Sequence, residues 1–332
     1  MSGSQEAADR TFTVGVGQCE NTAMLTTRRL FLGQAVHPLA ICLASAVQHR
    51  AAPNQFRLSV DDLATFRNDL LARVNAERLP AGASALKIDE LACQVADQHA
   101  LEMVTGKFLS HWGTDGRKPY HRYCRAGGFH AVQENVSAAG YLEARNLKYI
   151  GLTLAQMHMR MHEEFPPNDG HRRTILAPQH THAGFGIALA DDDLRLVELY
   201  VGKHVYLEPY PKQAKKKATL RLGGKQLNPG YQISYAEVFY EPPPTPPSID
   251  WLRTPRPYAL PEEYRTVRPI APEGTIYADG VKGEIEIGNR GSFRIPVRMF
   301  KNEPGIYTVV IWISNADGRM NLAATNACIE VE

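Results

Sequence analysis

The sequence predicts two folded units: an α-β-α sandwich over residues 59–207, followed by an all-β domain with an Ig-like β-sandwich plan over residues 218–332. Three observations carry that division. Apolar residues recur at helical spacing in the first part, as in Leu63, Phe66, Leu70 and Val74. Beyond Pro211 the helical period gives way to alternation in segments such as 231–240 and 306–314. No histidine follows His204, so imidazole chemistry is confined to the first unit.

Ahead of both units, residues 1–46 read as an N-terminal extension with an export signal. Thr27-Arg28-Arg29-Leu30-Phe31-Leu32-Gly33, with an apolar stretch running to Val47, resembles a twin-arginine signal peptide, and Ala44-Ser45-Ala46 supplies small residues for cleavage. Gln34, His37 and Pro38 make that stretch a poor membrane span. A secreted or periplasmic protein with no transmembrane span in its mature chain is expected. Met24 is as good a start as Met1.

Ser59 and Asp62 form a capping box for the first helix, whose buried stripe is Leu63, Phe66, Leu70 and Val74. A second helix is expected from about Asp89 to Val104. Thr153 with Gln156 reads as the start of a third, running Leu154 to Phe165 and stopping before Pro166-Pro167, which cannot continue the hydrogen-bond ladder. Asn168 or Asp169 is a natural N-cap for a short helix from Arg172 to Leu176. Two strands follow, 184–190 and 194–206, joined by Asp191-Asp192-Asp193.

Four residues spread along this unit point to chemistry: His111, Glu134, Glu164 and His171. Imidazole nitrogens and carboxylate oxygens are donors that Zn²⁺ and similar divalent cations accept, and ligands from separate segments leave a position open for water or substrate. At about 100° per residue, Glu164 falls beside the apolar face of Leu154, Met157 and Met161, whereas Glu163 points away. His171 sits at the start of its helix, where the dipole disfavours imidazolium and keeps the ring neutral for coordination.

The flanking residues read Phe108-Leu109-Ser110-His111, Gln133-Glu134-Asn135-Val136, Gly170-His171-Arg172-Arg173-Thr174-Ile175-Leu176 and Thr181-His182-Ala183-Gly184-Phe185-Gly186, with Val74-Asn75-Ala76-Glu77-Arg78 upstream. In this order they resemble the bacterial CAP domain, named for cysteine-rich secretory, antigen-five and pathogenesis-related proteins. The resemblance runs from about Ser59 to Tyr206. It implies an α-β-α sandwich and, in different members, lipid or sterol binding, defence-like secretion and protease activity, so it fixes no substrate. Gln133 replaces the usual glycine, and Met157, Met159 and Met161 occupy the helix where a tryptophan is common.

Other histidines read as structural. His99 lies among Leu91, Val95, Ala96 and Met103, a core position. His158 and His162 are four apart, but the segment lacks the second histidine of a zincin motif. His180 and His182 fall in a loop and read as solvated, while His121 and His130 are rim candidates. Of the cysteines beyond residue 46, Cys93 and Cys124 either pair or remain buried thiols, and Cys328 is left over.

A net charge of +2 over 332 residues gives no support to a nucleic-acid partner, and Lys215-Lys216-Lys217 reads as a solvated linker. In the second unit, strands are expected at 219–222, 231–240, 283–287, 292–299, 306–314 and 327–331. The proline-rich stretch 241–272 is too long for a hairpin and reads as a crossover or edge cover, with Trp251, Tyr258 and Tyr264 lying along the sheet edge. Three function classes stay open. One is a module binding a divalent cation, with Zn²⁺ the foremost choice, together with a small-molecule, lipid or peptide ligand. Another is a metal-dependent peptidase or esterase with Glu134 and Glu164 as candidate catalytic residues, one to activate water and the other to orient a ring nitrogen or protonate a leaving group. The third is an adhesive protein acting on a cell-envelope partner through its β-domain.

Overall fold

The computed structural model describes residues 57–140, 142, 146–315, 318 and 320–332; the twin-arginine-like segment lies outside the described residues. The first unit runs α1 (Val60–Arg78), β1 (Lys87–Ile88), α2 (Glu90–Gly106), α3 (Pro119–Arg125), β2 (Ala131–Ala139), α4 (Leu147–His162), α5 (Gly170–Leu176), β3 (His182–Ala190) and β4 (Asp193–Gly202). Its sheet has the order β1-β3-β4-β2, with β1 parallel to β3 and the other pairs antiparallel.

Helices cover both faces of this sheet, so the central strands are buried on both sides. Leu194, Leu196 and Tyr200 of β4 join α1 and α4 in one core, with Phe66, Leu70, Ile150 and Met157. Val197, Leu199 and Val201 alternate to the other face and join α2 and α3, with Ala92, Ala96, Met103 and Tyr123. On that side α2 lies directly on β3. A Cβ on Gly184 would come within 2.3 Å of the Cys93 backbone nitrogen, and one on Gly186 within 2.0 Å of the Ala96 carbonyl carbon. The THxGxG strand is thus a helix-docking surface.

The capping box at Ser59 and Asp62 is present, and the Asp89 side chain caps α2 by accepting from the Ala92 N–H. The third predicted helix begins about two turns early. Asn146 caps it by accepting from the Tyr149 N–H, and Thr153 lies inside, its hydroxyl donating to the Tyr149 carbonyl. α3 was not anticipated, although Pro119 at its start and the buried Tyr120, Tyr123 and Cys124 carry a helical signature.

The strand expected over 194–206 is two. β4 stops at Gly202, and β5 (Val205–Leu207) pairs instead with β7 (Thr219–Gln226) in the next sheet. The remaining elements are β6 (Gln213–Ala214), β8 (Tyr231–Glu241), α6 (Ile249–Leu252), β9 (Tyr264–Val267), β10 (Glu286–Ile287), β11 (Ser292–Arg298), β12 (Gly305–Asn315), β13 (Asn321–Ala323) and β14 (Ala327–Val331). They form a four-stranded sheet, β10-β11-β7-β5, and a larger one, β6-β14-β12-β8-β9 with β13 on β12. Inward residues of both, including Leu222, Val238, Ile295, Val297, Val309 and Ile329, make one core. The lysine run 215–217 is exposed, as expected, but β6 just before it pairs with β14.

The proline-rich stretch does more than edge a sheet. β9 pairs with β8, yet Leu252, Tyr258 and Leu260 pack into the core beneath α2 and α3, and Trp251 meets Trp112 edge-on at 5.4 Å. It is a strap from the β-domain across the first unit. Cys93, Cys124 and Cys328 are free and buried. Cys124 Sγ accepts the Cys328 N–H at 3.0 Å, so its neighbour is the cysteine left over in the sequence reading, and Cys93 sits apart on α2. Among the described residues no helix is long and apolar enough to cross a membrane.

Candidate functional site

The four residues gather as two imidazole–carboxylate pairs around β2, the edge strand of the sheet. Glu134 shares its side of β2 with Val132 and Val136, facing α2 and α3. There its Oε1 meets His111 Nδ1 at 3.0 Å, and Arg122 Nη2 donates to Oε2 at 2.6 Å. Arg122 also donates to the His111 carbonyl at 2.7 Å, clamping the loop after α2. The strap contributes Tyr258, whose ring lies 4.9 Å from the His111 ring and whose hydroxyl oxygen accepts the Glu134 N–H at 2.9 Å.

The second pair approaches from the other face. Glu164, just beyond α4, accepts the His171 N–H through Oε2 at 2.9 Å, and its Oε1 meets His171 Nδ1 at 2.5 Å. Glu164 therefore caps α5, in place of Asp169, whose side chain makes no capping bond and pairs with Arg173 at 3.1 Å. Glu163 is exposed, so the inward acid is the one that periodicity selects, although the helix has already ended at His162. Asn135 ties the pairs together: on the opposite side of β2 from Glu134, its Nδ2 donates to the His171 carbonyl at 3.2 Å.

Burial lowers the pKa of His111; the bond to Glu134 opposes this, and the nearby charge of His171 adds to the lowering. Burial alone would raise the Glu134 carboxyl, but Arg122, His99 and His111 outweigh it and hold it at about 2. His111 is thus a neutral ring donating from Nδ1 to a carboxylate, which leaves Nε2 as the acceptor. Among the described residues, neither His111 nor His171 has a hydrogen-bond partner at Nε2, and neither Nε2 is sealed from solvent as the ring nitrogens of His180 are.

A metal would find two imidazole nitrogens here. Both carboxylates are committed to Nδ1 atoms, the arrangement that orients a ligating histidine and raises its basicity. Among the described residues no group of three or more His, Cys, Asp or Glu side chains is set up to hold a metal ion. The donors left over are His111 Nε2 and His171 Nε2, with Glu134 and Glu164 already engaged as orienting groups.

Behind the second pair lies a buried network that the sequence reading passed over. His158, fully buried, bonds Glu198 through Nδ1 at 2.6 Å and Glu77 through Nε2 at 2.7 Å. Tyr200 donates to Glu198 at 2.8 Å, and Asn135 reaches it at 3.4 Å. Burial opposes charge on His158, but Glu198 and Glu77 outweigh it and raise its pKa to about 10. Arg78, also fully buried, donates to the carbonyls of Ser84, Ile175, Ala177 and His180, fastening the end of α5. The Asn-Ala-Glu-Arg segment of α1 is therefore the foundation of the site.

The remaining histidines divide. His99 is a satisfied core histidine, with Nε2 on the Ser110 carbonyl at 2.7 Å and Nδ1 on Glu102 at 3.2 Å. His121 is buried beside Glu241, 3.0 Å away. His180 is not solvated: only 2% of it is exposed, because Arg78 holds its carbonyl and its ring packs against Tyr200.

These titrations predict a stability maximum near neutral pH. His180 and His130 are driven by burial, and by the neighbouring cations Arg78 and Lys203 respectively, to about 3 and about 4. In the unfolded chain they take protons near 6.5, so stability should fall as pH drops from there toward 4. His158 works the other way: its contribution is complete below 6.5 and is lost as pH rises toward 10. Urea midpoints between pH 4 and 10 measure this, and a flat profile would contradict it.

Residues 71–202 match the family model described as the cysteine-rich secretory protein family, CAP. A search of curated proteins finds no match. Similar solved structures include an extracellular protein containing an SCP domain from Bacillus anthracis, at 20% identity and TM-score 0.33, covering 44% of this chain and 45% of that one. An outer surface protein from Borrelia burgdorferi matches at 15% identity and TM-score 0.35, over 44% of this chain and 95% of its own. The CAP domain of Enterococcal PrgA matches at 17% identity and TM-score 0.33, over 44% and 64%. The chain thus spans less than half the length of the Bacillus protein.

Proposed function

Because residues 71–202 form a CAP domain, we propose that this is an exported CAP-domain protein whose paired histidines bind a divalent cation and, over it, a small-molecule, lipid or peptide ligand. The observation that carries the reading is the pairing of each imidazole Nδ1 with a carboxylate, 3.0 Å for His111 and 2.5 Å for His171. Such pairing fixes the tautomer with Nε2 free, as metal coordination requires. Two protein ligands in place of the usual three or four make a weak, exchangeable site, with Zn²⁺ the best-suited ion by donor type.

A hydrolase reading draws on the same pairs. A bound cation would supply Lewis acidity and an acidified water. Glu134, the more buried carboxylate, would orient His111 through Nδ1, and Glu164, the more exposed one, would accept the proton of that water. The β-domain, on an Ig-like plan, would tether the site to a cell-envelope partner, and export would follow the twin-arginine-like segment. Zinc titration of the full chain, purified without chelator or nickel resin, tests the cation site on which both readings rest. Saturable binding that disappears in His111→Ala/His171→Ala supports the cation site, and equal affinity in both proteins overturns it. A peptidase and esterase panel on the same pair decides catalysis.

A further inference from the structure

Where the strap and the β-domain meet the first unit, a cavity of about 120 Å³ lies between them. Its walls come from β2, the strap and the β12–β13 hairpin: Val132, Tyr258, Leu260, Trp312 and Leu322 supply apolar and aromatic surface. No Lys, Arg, Asp or Glu lines it. Its polar groups are mostly engaged already. The Trp312 indole N–H donates to Glu237 at 2.8 Å, the Tyr258 hydroxyl accepts from Glu134, and Asn326 accepts the Val132 N–H at 2.9 Å.

His180 is the exception. It lines the cavity, and both of its ring nitrogens are buried without a partner among the described residues, so a turn of the ring would present one of them to an occupant. Buried polar groups are paired in the great majority of native structures, and an imidazole with neither nitrogen satisfied carries an unmet donor and an unmet acceptor. Two amide side chains, Gln179 and Gln133, stand beside it, joined only by a long contact of 3.4 Å.

We propose that this cavity binds a small, uncharged aromatic molecule, a single ring bearing one hydroxyl or N–H group, with that polar group hydrogen-bonded to His180 and the ring against Tyr258 and Trp312. The volume sets the size, since an apolar cavity of about 150 Å³ admits benzene. Aromatic walls favour a flat ring at edge or offset geometry. The lack of charge in the lining excludes carboxylates and ammonium groups, whose desolvation nothing here would offset. Occupancy of the cavity does not require a bound cation. Tyr258 is their common wall, so an occupant also presses on the residue that backs His111 and Glu134.

The test is calorimetric titration of phenol and aniline into the full chain, with benzoate and benzylammonium as charged controls. Saturable one-to-one binding is expected for a neutral probe, with the charged controls at least tenfold weaker. Leu322→Trp, which fills the cavity, should abolish binding, and His180→Phe should weaken it at least tenfold. Where a variant does not retain the wild-type unfolding midpoint, the His180 ring nitrogen resonances of the wild-type protein decide. They must shift on saturation with the neutral probe. Absence of saturable binding, equal binding of the charged controls, persistence in a folded Leu322→Trp variant, or a static His180 ring would each overturn the proposal and leave water as its partner.

Discussion

Replacing His158 with alanine is expected to destabilise the protein by about 3–5 kcal/mol, the cost of removing one member of a buried ion pair. Glu198 would keep only Tyr200 and Asn135, in a position with no solvent exposure, and Glu77 would lose its bond of 2.7 Å. An unpaired carboxylate there has no water to turn to. The double variant His158→Leu/Glu198→Leu removes both charges and should recover part of the loss, because a buried pair contributes much less net stability than breaking it costs. Urea denaturation at pH 7 measures both. A single-variant loss below about 1 kcal/mol would mean that His158 is neutral and weakly held. The effect should also reach the histidine pairs, since Asn135 bonds both Glu198 and the His171 carbonyl.

The second large effect is expected from Gly186→Val. Its Cβ would fall 2.0 Å from the Ala96 carbonyl carbon and 2.2 Å from the oxygen, so relief requires α2 to move as a body. Overpacking of this kind typically costs about 1–3 kcal/mol and more when backbone must shift. Here the moving helix carries His99, which holds the Ser110 carbonyl next to His111. A drop in thermal midpoint together with loss of order at His111 is the predicted outcome. An unchanged midpoint would show that α2 does not rest on β3. Ala96→Gly in the same background should restore little, because the clash is with backbone rather than with a side chain.

Where local chemistry decides structure, the sequence was legible. Ser59 and Asp62 announce α1 because a capping box is written in two residues three apart, and the buried Phe66, Leu70 and Val74 follow its period. The pairing of Glu164 with His171 was within reach for the same reason, since they are only seven positions apart. The site's foundation was not. His158 finds its partners 40 and 81 residues away, and no local pattern marks a histidine on an apolar helix face as charged. Its spacing to His162 is that of a ligand pair on one helix face, and nothing local points to Glu77.

His180 reads as a solvated loop residue because its neighbours are polar. Its burial is imposed by Arg78, 102 residues earlier, and by Tyr200. Likewise the break between β4 and β5 leaves no strong trace, since Gly202-Lys203-His204 interrupts the apolar alternation only briefly and the change of sheet is decided by pairing with β7. The strap's aromatics stand out in the sequence, but which surface they cover depends on packing between segments far apart in the chain. Tyr258 thereby became part of the site without any motif to flag it.

The central claim is that His111 and His171, reaching around the two faces of one edge strand, act together on one cation. The most direct measurement is a zinc titration followed through the ring resonances of all histidines in the full chain. Both Nε2 signals should move together and saturate at one equivalent, while the signals of His99 and His158 stay fixed. If only one of the two rings responds, or if they respond at different zinc concentrations, the pairs are separate structural clasps and the shared site does not exist.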